Sequence, residues 1–213
     1  MTEAASSCET ILFDLDDTLI NTCAASFEAC VASAAALGLD PPDWHRFLQV
    51  YGNAPFQSCF TMWFGSSKGF QEFAAVYHRN VSYRPIGDIQ GMLLPLRARG
   101  IRLGIVTNSL QYEAKNKLRA ANIAERLFSF VVGRPLGGLD EFAPKALGEL
   151  LETYSISASF ATYISDNPVD AVAARHAGLT FKGVLTGVYS EDDFRAFNVP
   201  PPSVYSNVHL AVG

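Results

Sequence analysis

Short apolar runs that stop abruptly at a polar residue recur along most of this chain, with helical stretches between them. Ile11-Leu12-Phe13 stops at Asp14, Ile101 to Val106 stops at Thr107-Asn108, and Phe160 to Ser165 stops at Asp166. Two further runs, Phe128 to Val132 and Phe181 to Leu185, have the same character. Runs of this length bounded by turn residues read as buried strands. Helices are expected from Gly91 to Arg99, from Leu110 to Ala121, from Pro144 to Tyr154, and from Pro168 to Gly178. Strands alternating with helices predict a doubly wound α/β core, a parallel sheet covered by helices on both faces.

The stretch from Asn21 to Arg84 breaks that alternation. Residues Thr22 to Leu37 are rich in alanine and free of Gly and Pro, which predicts a helix ending at Gly38. Pro41-Pro42-Asp43 reads as the start of another, and residues 44–84 carry most of the large aromatics. Phe70, Phe73 and Tyr77 are spaced as on one helix face, so packing between helices is their first explanation. The expected organisation is a core of residues 1–20 and 85–213 carrying a small inserted helical domain, residues 21–84.

Composition narrows the class. The chain has 213 residues, 49% of them hydrophobic and 17% charged, enough for one domain with a sizeable core and an insert. Its net charge of −5, with no long basic run, argues against a nucleic-acid partner. No apolar stretch approaches the roughly 20 residues of a membrane span, and MTEAASSCET shows no signal-peptide pattern, so no membrane partner and a cytoplasmic location are expected. Cys8, Cys23, Cys30 and Cys59 form no metal-binding pattern and read as reduced thiols. Monomer and homodimer remain equally open.

In an open parallel sheet, ligands bind outside the carboxyl ends of the strands. Asp14 with Asp16, Thr107 with Asn108, and Asp166 all fall at such ends. Asp170 lies one helical turn beyond Asp166. Brought together, these carboxylates repel, and a divalent cation removes the conflict. Oxygen-only ligation of this kind suits Mg²⁺.

Asp14-Leu15-Asp16-Asp17-Thr18 after an apolar strand resembles the DxDxT first motif of the haloacid-dehalogenase-like superfamily. Thr107 resembles the second motif and Asp166-Asn167-Pro168-Val169-Asp170 the fourth. The resemblance covers the chain outside residues 21–84, which it would make a mobile helical cap on a Rossmann-like core. It implies a phosphatase that uses Mg²⁺ and attacks a small phosphorylated metabolite. Asp14 would be the nucleophile, forming an aspartyl-phosphate, and Asp16 the general acid and base. Thr107 and Asn108 would bind the phosphoryl oxygens. Metal ligands would be Asp14, the main-chain carbonyl of Asp16, and Asp166, with Asp170 bonding from nearby or through water. Asp16 also favours phosphate esters, because the dehalogenase and phosphonoacetaldehyde hydrolase branches lack a second aspartate there. Asp17 is expected to bond the turn toward the cap, and Ser165 to bond locally.

The third motif, a phosphate-binding lysine in the family, departs from the pattern. Glu141-Phe142-Ala143-Pro144-Lys145 aligns in two ways, one placing Glu141 at the lysine position and one using Lys145 a helical turn later. Lys145 is taken as the catalytic and phosphate-binding cation, with Arg134 as the alternative. Trp44, His45, Trp63, Lys68, His78, Arg79 and Arg84 are candidate substrate contacts, though packing or solvation accounts for each at least as well. Asn21, Thr22 and Cys23 are expected at the hinge. A phosphomutase, or a non-catalytic member binding a phosphorylated ligand or a protein, are the competing readings.

Overall fold

Parallel strands buried on both faces must be apolar, a demand this chain meets most fully in its central strands. The computed structural model describes residues 9–51, 54–134 and 144–213. Among them the strands are β1 (Thr10–Phe13), β2 (Arg102–Leu110), β3 (Phe130–Arg134), β4 (Ala161–Ser165), β5 (Thr180–Val184) and β6 (Val204–Tyr205). They form one sheet in the order β3-β2-β1-β4-β5-β6, with every neighbouring pair parallel. The first strand is therefore central, and the chain reverses its direction of growth between β1 and β4. That reversal is where an open α/β sheet leaves a crevice at its carboxyl edge.

Helices fill the connections: α1 (Thr22–Ala36), α2 (Trp44–Leu48), α3 (Phe56–Phe64), α4 (Phe70–Asn80), α5 (Ile89–Ala98), α6 (Gln111–Ala120), α7 (Pro144–Thr153), α8 (Asp170–His176), α9 (Glu191–Ala196) and α10 (Val208–Val212). One face of the sheet contributes Leu12, Val106, Phe130 and Tyr163 to a core shared with Leu147, Leu150 and Leu151 of α7 and Ala174 of α8. The alternate positions Ile11, Phe13, Leu103, Ile105 and Ile164 are buried as well, so both faces are covered, as a parallel sheet requires. Gly104 is a packing requirement, since a Cβ there would lie 2.4 Å from the Phe130 ring.

The described residues divide into two compact units, one running to Asn21 and resuming at Arg84, the other Thr22–Tyr83. The second unit is helical and has its own core. Phe47, Phe60, Trp63 and Phe73 are buried there with Cys30 and Cys59. Phe47 stacks on Trp63 at 5.0 Å between ring centroids, and Phe60 meets Phe73 at 5.0 Å. Packing thus accounts for the aromatic spacing. Cys23, Cys30 and Cys59 are buried thiols that take part in no disulfide among the described residues.

Some boundaries differ from the sequence expectation. Strand β2 does not stop at Thr107 but continues to Leu110, with a register shift between Val106 and Leu110. Helix α8 begins at Asp170 rather than Pro168, because Asp170 and Ala171 first bond back three residues, to Asn167 and Pro168. Helix α9 was not anticipated, although Ser190 and Asp193 form a capping box at its start. The short strand β6 forms one edge of the sheet near the chain's end and is followed by α10. No helix among the described residues is long and apolar enough to cross a membrane.

Candidate active site

Register places the polar strand-end residues together. Phe13 pairs with Ile105 on one side and Ile164 on the other, so these three residues mark one level across the sheet. Asp14 lies one residue beyond that level, Thr107 two and Asp166 two. The Asp14 amide still donates to the Ile164 carbonyl at 2.9 Å, holding the aspartate at the mouth of the central strand.

Beyond Asp14 the chain turns tightly. The Leu19 and Ile20 amides both bond back to the Leu15 carbonyl, and the Asp17 amide bonds to the Ile20 carbonyl at 2.7 Å. Asp17 takes a left-handed backbone conformation with φ of 51°, which an aspartate tolerates better than most residues. Its carbonyl accepts the Thr186 hydroxyl at 2.5 Å. Asp17 therefore bonds the turn, as its place in the sequence implied. Thr18, fully buried, accepts the Asp166 amide at 3.0 Å and donates to Asp166 Oδ1 at 3.3 Å. Gly187 backs directly on the same carboxylate, for a Cβ there would meet Asp166 Oδ2 at 1.9 Å.

Asp170 is fixed by two hydroxyls. Ser165 Oγ donates to Asp170 Oδ2 at 2.6 Å and accepts the Asn167 amide at 3.0 Å. The Tyr163 hydroxyl stands 3.4 Å from the same Oδ2 and 3.2 Å from the Val106 carbonyl. Ser165 thus bonds locally, as expected.

Electrostatics tie the acids into one group. The Asp14 carboxyl is pushed well above the ordinary carboxylate range, first by desolvation and then by the charges of Asp166, Asp170 and Asp16. Asp166 is pushed up likewise, by desolvation and then by Asp17, Asp170 and Asp16. Burial also raises Asp170, against the lowering effect of its bonds from Ser165 and Tyr163. Tyr163, buried beside Asp170 and Asp14, is held well above its usual range.

Asp16 has a different environment. Its Oδ2 accepts the Ser109 hydroxyl at 2.6 Å and its Oδ1 accepts Lys117 Nζ at 2.6 Å. Lys117 also donates to Ser109 Oγ at 2.8 Å, closing a triangle. Neither Lys117 nor Ser109 was singled out in the sequence. The available signal was weak: on α6, Lys117 sits between the buried Ala114 and Leu118, a position where an apolar residue is the usual occupant.

Thr107 is buried and its hydroxyl accepts the Ser109 amide at 3.2 Å, while Asn108 is exposed. Lys145 is the second residue of α7, and its side chain, like Glu141, lies outside the described residues. Arg134 ends β3, and its buried Nε has no hydrogen-bond partner among the described residues. In the helical unit Trp63 is buried, whereas Trp44, His45, Lys68, His78 and Arg79 are exposed. Arg84 is exposed on the core side of the boundary. There its amide donates to Asn21 Oδ1 at 2.9 Å and its carbonyl accepts the Asn21 amide at 3.1 Å. Thr22 and Cys23 are buried at the start of α1.

Residues 11–184 match the family described as haloacid dehalogenase-like hydrolase. The chain belongs to this family. A 5'-nucleotidase of Pseudomonas aeruginosa is 28% identical, over 92% of this chain and 91% of that protein. A phosphoglycolate phosphatase of Neisseria gonorrhoeae is 26% identical, over 91% and 89%. Among solved structures, a haloacid dehalogenase-like family hydrolase from Streptococcus pneumoniae superposes with a TM-score of 0.71 at 20% identity, over 97% of each chain. A Thermotoga maritima protein assigned provisionally as a beta-phosphoglucomutase gives 0.78 at 19% identity, over 96% of each. These two likenesses establish the Rossmann-like α/β fold of the hydrolase family. The sequence expectation of a phosphatase-type hydrolase accords with the named relatives.

The acid group bears on the metal that the family implies. Among the described residues no three His, Cys, Asp or Glu side chains are close enough together to form a preassembled metal cluster. Mg²⁺ does not require one, since it is commonly held by one or two carboxylates with waters and substrate phosphate completing its shell. The mutual repulsion of Asp14, Asp166 and Asp170 is of the kind that a divalent cation relieves. The donor set fits the ion.

Proposed function

We propose that this hydrolase releases inorganic phosphate from a small phosphomonoester in two steps at Asp14. The observation that carries the reading is that Asp14, Thr107 and Asp166 follow within one or two residues of the level set by Phe13, Ile105 and Ile164 on three adjacent strands, with Asp16 two residues beyond Asp14. Relatives named 5'-nucleotidase and phosphoglycolate phosphatase support the phosphomonoester class.

In the first step an Asp14 carboxylate oxygen attacks phosphorus in line. The bond from phosphorus to the ester oxygen breaks, and Asp16 passes its proton to that oxygen, so an alcohol leaves and an aspartyl-phosphate remains. In the second, water attacks the same phosphorus and gives its proton to Asp16. The phosphorus bond to Asp14 breaks, returning the carboxylate and freeing phosphate. Thr107, whose hydroxyl oxygen accepts the Ser109 amide, would donate its own hydrogen to a phosphoryl oxygen. The Asn108 amide would be a second donor. Lys145 remains the proposed phosphate-binding cation, with Arg134 as the alternative.

Asp14, Asp166 and the Asp16 main-chain carbonyl would hold Mg²⁺, with Asp170 bonding from nearby; the ion would offset phosphate charge. The helical unit Thr22–Tyr83 would act as the cap that selects substrate.

The test is phosphate release from nucleoside 5'-monophosphates, phosphoglycolate and sugar phosphates, with and without Mg²⁺, by wild type and Asp14→Asn. Metal-dependent release abolished in the variant is expected. A folded, Mg²⁺-loaded wild type releasing nothing overturns the reading, and transfer of phosphate back to substrate would make the protein a mutase.

A further inference from the structure

Asp16 must present its carboxyl group to two different oxygens, the leaving alkoxide and the incoming water, so its orientation is a requirement of the reaction proposed above. A short side chain on a tight turn does not orient itself. Both of its oxygens are held here, Oδ2 by Ser109 at 2.6 Å and Oδ1 by Lys117 at 2.6 Å. The two donors are also bonded to each other at 2.8 Å. We propose that Lys117 is a positioning residue for the reaction, which with Ser109 fixes the acid/base Asp16 at the strand edge.

Both donors stand on regular secondary structure. Ser109 lies near the end of β2, two residues beyond the buried Thr107, and Lys117 stands on α6 between the buried Ala114 and Leu118. Strand and helix therefore converge on one carboxylate from two directions. The lysine side chain is 13% exposed and that of Asp16 27%, so water screens this pair less than it would a surface ion pair. Charge-assisted hydrogen bonds in such a setting are short and directional. The serine adds versatility, because a hydroxyl bonds to a carboxylate as donor or to a carboxylic acid as acceptor.

This assignment rests on the phosphohydrolase reading, and its test separates the two through the leaving group. The constant kcat/KM reports events up to departure of the alcohol. A simple alkyl phosphate needs a proton from Asp16 at that stage, whereas 2,4-dinitrophenyl phosphate expels a stable phenolate without one. Wild type, Asp16→Asn, Lys117→Met, Ser109→Ala and Lys145→Met are compared on both esters with Mg²⁺, with circular dichroism as the check on folding.

Lys117→Met is expected to lose on the order of 10²-fold in kcat/KM on the alkyl ester, the cost of misplacing a catalytic group, and to stay within a few-fold of wild type on the dinitrophenyl ester. Ser109→Ala should show the same selectivity with a smaller loss, and it carries the test if Lys117→Met does not fold. Lys145→Met should lose on both esters equally, as a group that meets phosphate charge would. Equal losses on both esters for Lys117→Met, or no loss, overturn the positioning role while leaving the phosphatase reading intact. If Asp16→Asn itself shows no leaving-group selectivity, or wild type is inactive on both esters, the reading beneath fails and takes this assignment with it.

Discussion

Gly187 lies so close to Asp166 that a methyl group on its Cα would stand 1.9 Å from Oδ2. The loop after β5 thus packs against Oδ2 of the carboxylate, while the hydroxyl of Thr18 bonds to its Oδ1 and to the Asp166 amide. Gly187→Ala must push the carboxylate away from that loop and strain its bond to Thr18. The expected result is a folded protein whose Mg²⁺ affinity falls about 10- to 100-fold, the usual effect of disturbing the shell around a ligand. Titration of Mg²⁺ by calorimetry reads this directly. An unchanged affinity would remove Asp166 from the proposed Mg²⁺ ligand set.

The repulsion among Asp14, Asp166 and Asp170 has a thermodynamic signature in the metal-free protein. Raised carboxyl pKa values mean that the folded state binds protons more tightly than the unfolded chain. Stability from these groups is full at acid pH and is lost as pH rises from the ordinary carboxylate range through the raised values. Asp166→Asn should therefore melt higher than wild type in EDTA at neutral pH, by about 2–4 °C per kcal/mol relieved. The gain should shrink as pH falls and vanish when Mg²⁺ is added to wild type. A variant melting lower than wild type at neutral pH in EDTA would refute the repulsion.

Ser165 is the short bond that holds Asp170. Ser165→Ala leaves that buried carboxylate with the Tyr163 hydroxyl at 3.4 Å as its remaining described side-chain donor. A cost of about 1.5–3 kcal/mol is expected from the loss of a hydrogen bond to a charged group. Urea denaturation measures it, and a change below a few tenths would show that Asp170 does not depend on the serine.

Within the helical unit, Phe47 and Trp63 should respond unequally. Phe47 is fully buried and stacks on both Tyr51 and Trp63, so Phe47→Ala should cost about 3–5 kcal/mol. The buried Trp63 Nε1 has no hydrogen-bond partner among the described residues. Trp63→Phe removes that desolvated donor along with ring area, and the two effects oppose each other. Chemical denaturation should rank it well below Phe47→Ala, and the reverse order would mean that the indole nitrogen is satisfied in solution.

What sequence could reveal about this molecule follows from the range of the forces involved. The strand-edge positions of Asp14 and Asp166 were legible because a strand buried on both faces must be apolar until it leaves the sheet, whereas after Thr107 the strand continues to Leu110. The helical insert was legible because its aromatics repeat at helical spacing. Lys117 was not, since its meaning depends on how α6 lies against the turn after β1, a contact separated by 101 residues. Gly187 was hidden for the same reason. Helix α9 is a different case, because the capping box of Ser190 and Asp193 is a local signal at its start.

Asn21 and Arg84 bond to each other through amide, carbonyl and side chain, so the core's own backbone is nearly continuous across the point where the long excursion departs. The entropy of closing that loop is met at its base and grows only slowly with its length. The excursion is thereby modular: it can lengthen, shorten or be exchanged for another without re-registering a single strand. Grafting a relative's segment between Asn21 and Arg84 amounts to changing a tool in a fixed handle.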